Sequence, residues 1–270
     1  LHLGNYLGAL KNFVELQNSG KYQCFFFIAD YHSLTTEFDP KQKTEEILSV
    51  ANAYLAAGIS PKKSLIFVQS QVPQCAELFW ILNTVAPVGE MERMTQYKDK
   101  AKSQPENINM GLLNYPLLMT ADIFLYDAKF VPVGDDQLQH LELTRTLARK
   151  FNNRFGQTFI EPKELLTKTP RVMSLNDPLK KMSKSQPEGC LFLDDSPEEI
   201  KKKISRAVTD SSSEIKYDSQ NKPGISNLLE IYSALFEKSI PELEKKYRGK
   251  GYGEFKSDLA KITTEVLKPF

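Results

Sequence analysis

The 270 residues carry almost no net charge: 35 Lys and Arg stand against 34 Asp and Glu, a formal balance of +1. There is no global field to draw in nucleic acid, so any RNA contact must come from a local patch. Cysteine is scarce. Cys24, Cys75 and Cys190 lie far apart without metal-ligand spacing, which suits a reducing cytoplasm. No apolar run reaches the roughly 18–20 residues that a membrane span needs, no signal peptide is visible, and there is no internal repeat. The chain opens at "LHLGNYLGAL" without an initiator Met and stops in mid-pattern at "VLKPF". The expectation is a segment lacking both ends of a longer protein.

What is present suits a globular α/β protein. Hydrophobic residues make up 41%, enough for a core, and the length fits one large domain or a domain with a smaller appendage. The apolar runs "YQCFFFIAD" (22–30), "SLIFVQS" (64–70) and "KFVPVGDD" (129–136) predict strands, the first two buried on both faces. Helical periodicity lies between them: Leu7, Leu10, Phe13 and Val14, then Ile47, Ala51, Tyr54 and Leu55, then Leu141, Thr144, Leu147, Ala148 and Phe151. Alternating strands and helices imply a parallel sheet with right-handed crossovers. After about residue 190 the pattern turns helical. Ser196, Pro197 and Glu199 spell a capping box, and two amphipathic stretches follow.

In open parallel sheets, ligands bind beyond the C-terminal strand edges, near helix N-termini. Four segments draw attention. In "HLGN", Gly4 permits close backbone approach and a helix starting near Asn5 would offer free N–H groups to an anion; an ordinary helix start is equally compatible. In "VPVGDDQLQH", Asp135, Asp136 and Gln137 follow Gly134 at a helix start; they suit the helix dipole, ribose hydroxyls or magnesium, while His140 reads as structural. In "KKMSKS", Lys180, Lys181 and Lys184 fall within five residues beside Ser183 and Ser185. Compact ammonium groups there complement polyphosphate, although a solvated basic loop is the usual fate of such a run. In "NYPLLMTADIFLY", a helix from Pro116 onward puts Tyr115, Met119, Asp122 and Tyr126 close to one face. A buried Asp122 needs a partner, either a protein donor or a ligand N–H.

"HLGN" followed by "KMSKS" resembles the paired signatures of class I aminoacyl-tRNA synthetases. "GEMERMTQYKDK", "YPLLMTADIFLY", "VPVGDDQLQHLELTR", "SLNDPLKKMSKS", "AVTDS" and "KPGISNLL", in that order, resemble the bacterial-type tryptophanyl-tRNA synthetases over the whole chain. The resemblance implies a Rossmann-like parallel sheet with a C-terminal helical domain, divided as 1–189 (catalytic) and 190–270 (tRNA anticodon side, incomplete). It implies ATP as substrate with Mg2+, L-tryptophan and tRNA(Trp) as partners, a homodimer and no membrane. Gly4, Asn5, Gly134, Asp135, Asp136 and Val172 would contact ATP, the last through its backbone. Lys181, Met182, Ser183, Lys184 and Ser185 would form the mobile loop on the pyrophosphate oxygens, assisted by Lys100. Asp122 would accept the indole N–H, and Tyr115, Met119, His32, Val131 and Val133 would line the tryptophan pocket. Tyr115 and Gln137 would also hold the amino group. His2 stands where the family often has Thr, and the family's first strand, with its glycine-rich turn, has no counterpart in this sequence. Tyrosyl-tRNA synthetase, a small-molecule adenylyltransferase and a non-catalytic sensor are the rival readings. The stretch 76–91 fits an interface or core equally well.

Overall fold

A computed structural model describes residues 1–166, 170–212 and 214–270. The strands are β1 (Phe25–Ile28), β2 (Leu65–Val68), β3 (Phe130–Val133) and β4 (Lys163–Leu166). The helices are α1 (Leu3–Asn5), α2 (Lys11–Asn18), α3 (Lys43–Ala57), α4 (Gln74–Asn83), α5 (Val88–Glu92), α6 (Thr95–Ser103), α7 (Met110–Phe124) and α8 (Leu138–Phe155). After these come α9 (Pro197–Arg206), α10 (Pro223–Phe236), α11 (Ile240–Lys246) and α12 (Tyr252–Leu267). The chain divides into two compact units. One comprises Leu1–Gln23, Asn52–Lys63 and Lys168–Phe270; the other comprises Cys24–Ala51 and Ser64–Thr167, the cut falling within α3.

The second unit holds the strands. β1 pairs in parallel with β2, Phe25 opposite Leu65, and β3 pairs in parallel with β4, Phe130 opposite Lys163. Among the described residues these are two two-stranded sheets. Parallel neighbours require long crossovers, here carrying α3 and α8. β1 and β2 are not buried on both faces: Phe25 is 38% and Leu65 52% exposed. Among the described residues each of these strands has one neighbouring strand, and the Tyr126 ring packs on Phe25 and Phe67. β4 has no counterpart in the sequence-based expectation. "KELL" is charged and short, and the Arg145 side chain on α8 fixes it by donating to the Pro162 carbonyl (2.8 Å) and pairing with Glu164. The core of this unit gathers Leu82, Leu117, Ala121, Phe124, Val133, Leu141 and Leu147. Each such large side chain contributes roughly 1.5–3 kcal/mol on burial.

α7 starts six residues before the expected Pro116, at Met110, with Asn109 capping the Leu112 N–H at 2.9 Å. Pro116 removes one helical donor. The helix continues through it because residues 115–118 are all buried, so tertiary packing outweighs the local cost.

The first unit is largely helical. Tyr232, Tyr247, Phe255, Leu259 and Ile225 build its core with Leu3 and Leu7. The expected capping box of α9 is present: the Glu199 N–H donates to Ser196 Oγ, and the Ser196 N–H donates to the Glu199 carboxylate. Two backbone ladders shape the unit's irregular part. His2 bridges Phe192 in antiparallel fashion, and Met173 bridges Lys181. Gly189 has no room for a side chain, since a Cβ there would lie 2.1 Å from Ser174 Oγ.

Candidate active site

In the first unit, the "HLGN" segment forms a tight cap. α1 begins at Leu3 rather than near Asn5. The Asn5 side chain accepts the His2 N–H at 3.0 Å, and His2 Nδ1 accepts the Gly4 N–H at 3.1 Å. The Leu3 N–H donates to the Leu191 carbonyl at 2.8 Å. The expected row of free N–H groups is therefore already used within the chain, because the imidazole and the His2 carbonyl accept where an anion was expected. Gly4 suits this closeness: a Cβ would stand 2.9 Å from His2 Cε1, so the imidazole would have to shift. The His2 pKa is lowered, by burial above all, with the Lys181 ammonium adding to it. His2, Gly4, Val172 and Lys181 are thus neighbours within one unit.

The loop itself splits into anchored and free residues. Met182 is 3% exposed and Val172 is buried beside it in the core, the Met182 N–H donating to the Val172 carbonyl at 3.0 Å. Lys181, Lys184 and Ser185 are exposed and Ser183 is half-buried. The Ser183 and Ser185 hydroxyls are 2.9 Å apart. An apolar anchor at Met182 with cations on either side leaves two ammonium groups able to move onto an anion.

In the second unit, Asp122 sits at 7% exposure on α7. Gln69 Nε2 donates to both of its oxygens, at 2.8 and 2.9 Å. The Cys75 thiol donates to Oδ1 at 2.9 Å, and His32 Nε2 lies 2.9 Å from Oδ2. The carboxylate's roughly four acceptor positions are all engaged by protein groups. The Cys75 thiol is pushed up, first by burial and then by its bond to Asp122. Tyr115, two turns before Asp122, meets His140 Nε2 through its hydroxyl at 3.0 Å. Burial, then the Asp136 charge, pushes the phenol up to about 12. Lys100 lies over the Tyr115 ring at 4.3 Å, its pKa lowered by burial. It is thus placed beside the candidate tryptophan residues of this unit. His140 is wholly buried, Nδ1 meets no partner, and burial with the Lys100 charge lowers its pKa to about 4.

Val131 and Val133 project to the same side of β3, two residues apart. Val133 is in the core and Val131 packs against it, as does Met119. Gly134 precedes a tight turn over Asp135–Gln137 that leads into α8. Both aspartates are exposed, and Gln137 donates to Asp136 at 3.0 Å. Two carboxylates at the start of an 18-residue helix satisfy its dipole.

Sequence reasoning missed Gln69, Cys75 and the pairing of His140 with Tyr115. Gln69 directly follows β2, and a residue just beyond a parallel strand's C-terminus is where that rule points. Nothing local marks Cys75; only the packing of α4 on α7 brings its thiol to Asp122.

The helical unit thus carries an exposed basic loop on an apolar anchor, and the unit with the parallel strand pairs carries a buried carboxylate network. Residues 1–268 match the family model described as tRNA synthetases class I (W and Y), and the chain belongs to that family. It is 53% identical over 270 residues to a tryptophan--tRNA ligase of Bacillus anthracis, covering 99% of this chain and 81% of that one. A tryptophanyl-tRNA synthetase structure from Mycoplasma pneumoniae superposes with a TM-score of 0.87 at 38% identity, covering 100% of this chain and 82% of that one. The Campylobacter jejuni enzyme, complexed with ADP and tryptophan, gives a TM-score of 0.83 at 38% identity, with 100% and 83% covered. The expected α/β class I fold is borne out by these neighbours.

Proposed function

We propose that the chain is a tryptophan--tRNA ligase: it activates L-tryptophan with ATP to tryptophanyl-adenylate and transfers it to the 3′ end of tRNA(Trp), releasing pyrophosphate and AMP. The observation that carries the choice of amino acid is Asp122, a buried carboxylate held between His32, Gln69 and Cys75. An indole N–H takes the place of one of these donors, and the Cys75 thiol, a weak donor, yields at least cost. Tyr115, Met119, Val131 and Val133 supply the apolar wall, and Tyr115 with Gln137 holds the amino group. The close relatives are named for the same substrate.

ATP enters as its magnesium complex. Gly4, Asn5, Val172, the Lys181–Ser185 loop, Gly134, Asp135, Asp136 and Lys100 are the residues that serve the nucleotide. The tryptophan carboxylate attacks the α-phosphorus in line, and pyrophosphate leaves with growing negative charge. No protein nucleophile is needed, so Lys181 and Lys184 act by drawing the leaving charge outward. In the second step a terminal 2′-hydroxyl of the tRNA attacks the adenylate carbonyl and AMP leaves. Residues 1–189 are the catalytic part and 190–270 the tRNA-facing part. A second copy of the chain is the expected partner; Trp80, Ile81 and Val88 in the stretch 76–91 are exposed, whereas Leu82 and Met91 are core.

The test is pyrophosphate exchange into ATP, with tryptophan and tyrosine in parallel. Exchange that needs tryptophan is the expected result. Exchange with tyrosine instead moves the chain to the sister specificity, and no exchange with either amino acid overturns the catalytic reading.

A further inference from the structure

The Met173–Lys181 bridge leaves both backbone polar groups of Met173 without a partner on the facing strip. The Ser174 N–H donates to the Lys180 carbonyl at 2.8 Å and the Met182 N–H to the Val172 carbonyl at 3.0 Å. Met173 and Lys181 thus face each other as the pair without mutual hydrogen bonds. In such an antiparallel pair the backbone N–H and C=O point outward, away from the partner strand. Two outward polar groups in a partly buried segment must find partners or carry a desolvation cost.

A single side chain meets both. The Met173 N–H donates to Asn227 Oδ1 at 2.9 Å, and Asn227 Nδ2 donates to the Met173 carbonyl at 3.0 Å. The carboxamide reproduces the two-bond pattern of a neighbouring strand. Asn227 is 3% exposed and lies in the first half of α10, between the fully buried Ile225 and Leu228. It therefore does not swing freely. The segment before α10 fastens the same strip again, since the Val208 N–H donates to the Leu175 carbonyl at 2.8 Å. Gly224 makes that approach possible: a Cβ there would stand 2.2 Å from the Val208 carbonyl oxygen. An Asn is the side chain for this task, because it alone with Gln offers a donor and an acceptor in one plane, and Gln adds a methylene that the packed site has no provision for.

We infer that Asn227 is a positioning residue for nucleotide activation: through Met173 it fixes the register of the strip on which Lys181 is mounted, and so sets where the mobile lysines can reach. This rests on the proposed role of Val172 and the Lys181–Ser185 loop in holding ATP. Asn227 itself touches no reacting atom in this reading. Its removal leaves the tryptophan-binding residues, which belong to the other unit, with their partners unchanged.

The experiment compares wild type with Asn227→Leu, which keeps the branched shape and loses both hydrogen bonds, and Asn227→Asp, which keeps the acceptor and loses the donor. Tryptophan-dependent pyrophosphate exchange gives kcat and separate KM values for ATP and tryptophan, and thermal unfolding reports on folding. N227L is expected to raise the ATP KM and lower kcat so that kcat/KM for ATP falls at least tenfold, with the tryptophan KM within twofold of wild type. N227D is expected to fall between the two. A folded N227L with wild-type ATP parameters overturns the inference, as does an equal loss in both KM values, which marks a general structural role. If N227L does not fold, N227D decides: an unchanged ATP KM overturns the inference and a raised ATP KM alone supports it. Wild type without any tryptophan-dependent exchange defeats the functional reading itself and is recognised before a variant is compared.

Discussion

The two units solve opposite problems. In the unit of "HLGN" and "KMSKS", backbone groups and small caps are locked together while the cations are left in solvent: Lys181 and Lys184 are exposed above the buried Met182 and Val172. In the strand-bearing unit the buried candidates are side chains hydrogen-bonded to each other, Asp122 with Gln69, Cys75 and His32, then Tyr115 with His140, and Lys100 lies over the Tyr115 ring. The difference follows from the work each is proposed to do. Stabilising charge that grows during a reaction needs groups that arrive with the transition state, so exposure and freedom serve it. Rejecting a wrong amino acid needs groups that suffer when unpaired, so burial and a fixed geometry serve it.

Three changes break this contrast, in falling order of effect. Asp122→Ala strikes the buried network at its centre and strands three donors. The expected loss is about 10³-fold in kcat/KM for tryptophan, of the order set by a buried polar partner removed from a recognition site. The ATP KM moves by less than about threefold. Steady-state exchange with each substrate varied in turn checks this, and unchanged selectivity between tryptophan and tyrosine would sink the role of Asp122. Lys184→Ala strikes the exposed side. The single-turnover rate of adenylate formation falls about 10²-fold, the scale of one lost charge-stabilising donor, while equilibrium tryptophan binding is retained. An unaltered rate would show that the loop is a solvated basic face.

The smallest effect concerns pH and sharpens the contrast from the side of stability. His140 has a pKa of about 4 when folded against 6.5 as its ordinary value. The unfolded chain therefore takes up the proton first as pH falls. Its contribution is fully present above about pH 7, erodes below 6.5 and is lost by about pH 4. At pH 5 the cost to the folded state is about 2 kcal/mol. Denaturant midpoints at pH 7.5 and pH 5 should show His140→Gln losing about 2 kcal/mol less on acidification than wild type. Equal losses in both proteins would mean that His140 is not the buried neutral group that its surroundings make it.

Legibility in the sequence divides along the same line. Elements that follow from local pattern were readable: the apolar cores of β1, β2 and β3, the α9 capping box at Ser196 and Glu199, the helical stretch that contains α10, and the cation spacing of the loop. Each depends on a few consecutive residues and a fixed period. β4 was not readable because "KELL" has neither alternation nor an apolar run; its pairing with β3 and the Arg145 contacts make it a strand. The beginning of α7 was misjudged because a proline's local preference was weighed without the burial that overrides it. At Gly4 the sequence allowed close approach but could not say that the approaching group is His2.

By itself, then, the sequence determined the family, the alternation of strands and helices, and the residue types available for phosphate and carboxylate chemistry, because these are written in short motifs and their order. Only the tertiary structure decided which donors surround Asp122, that Tyr115 rests on His140, and that Asn227 completes the ladder under Lys181. Gln69 and Asp122 are 53 residues apart, and Asn227 and Met173 are 54 apart. Contacts at that separation are set by how whole helices pack against each other, and no local period or propensity encodes them.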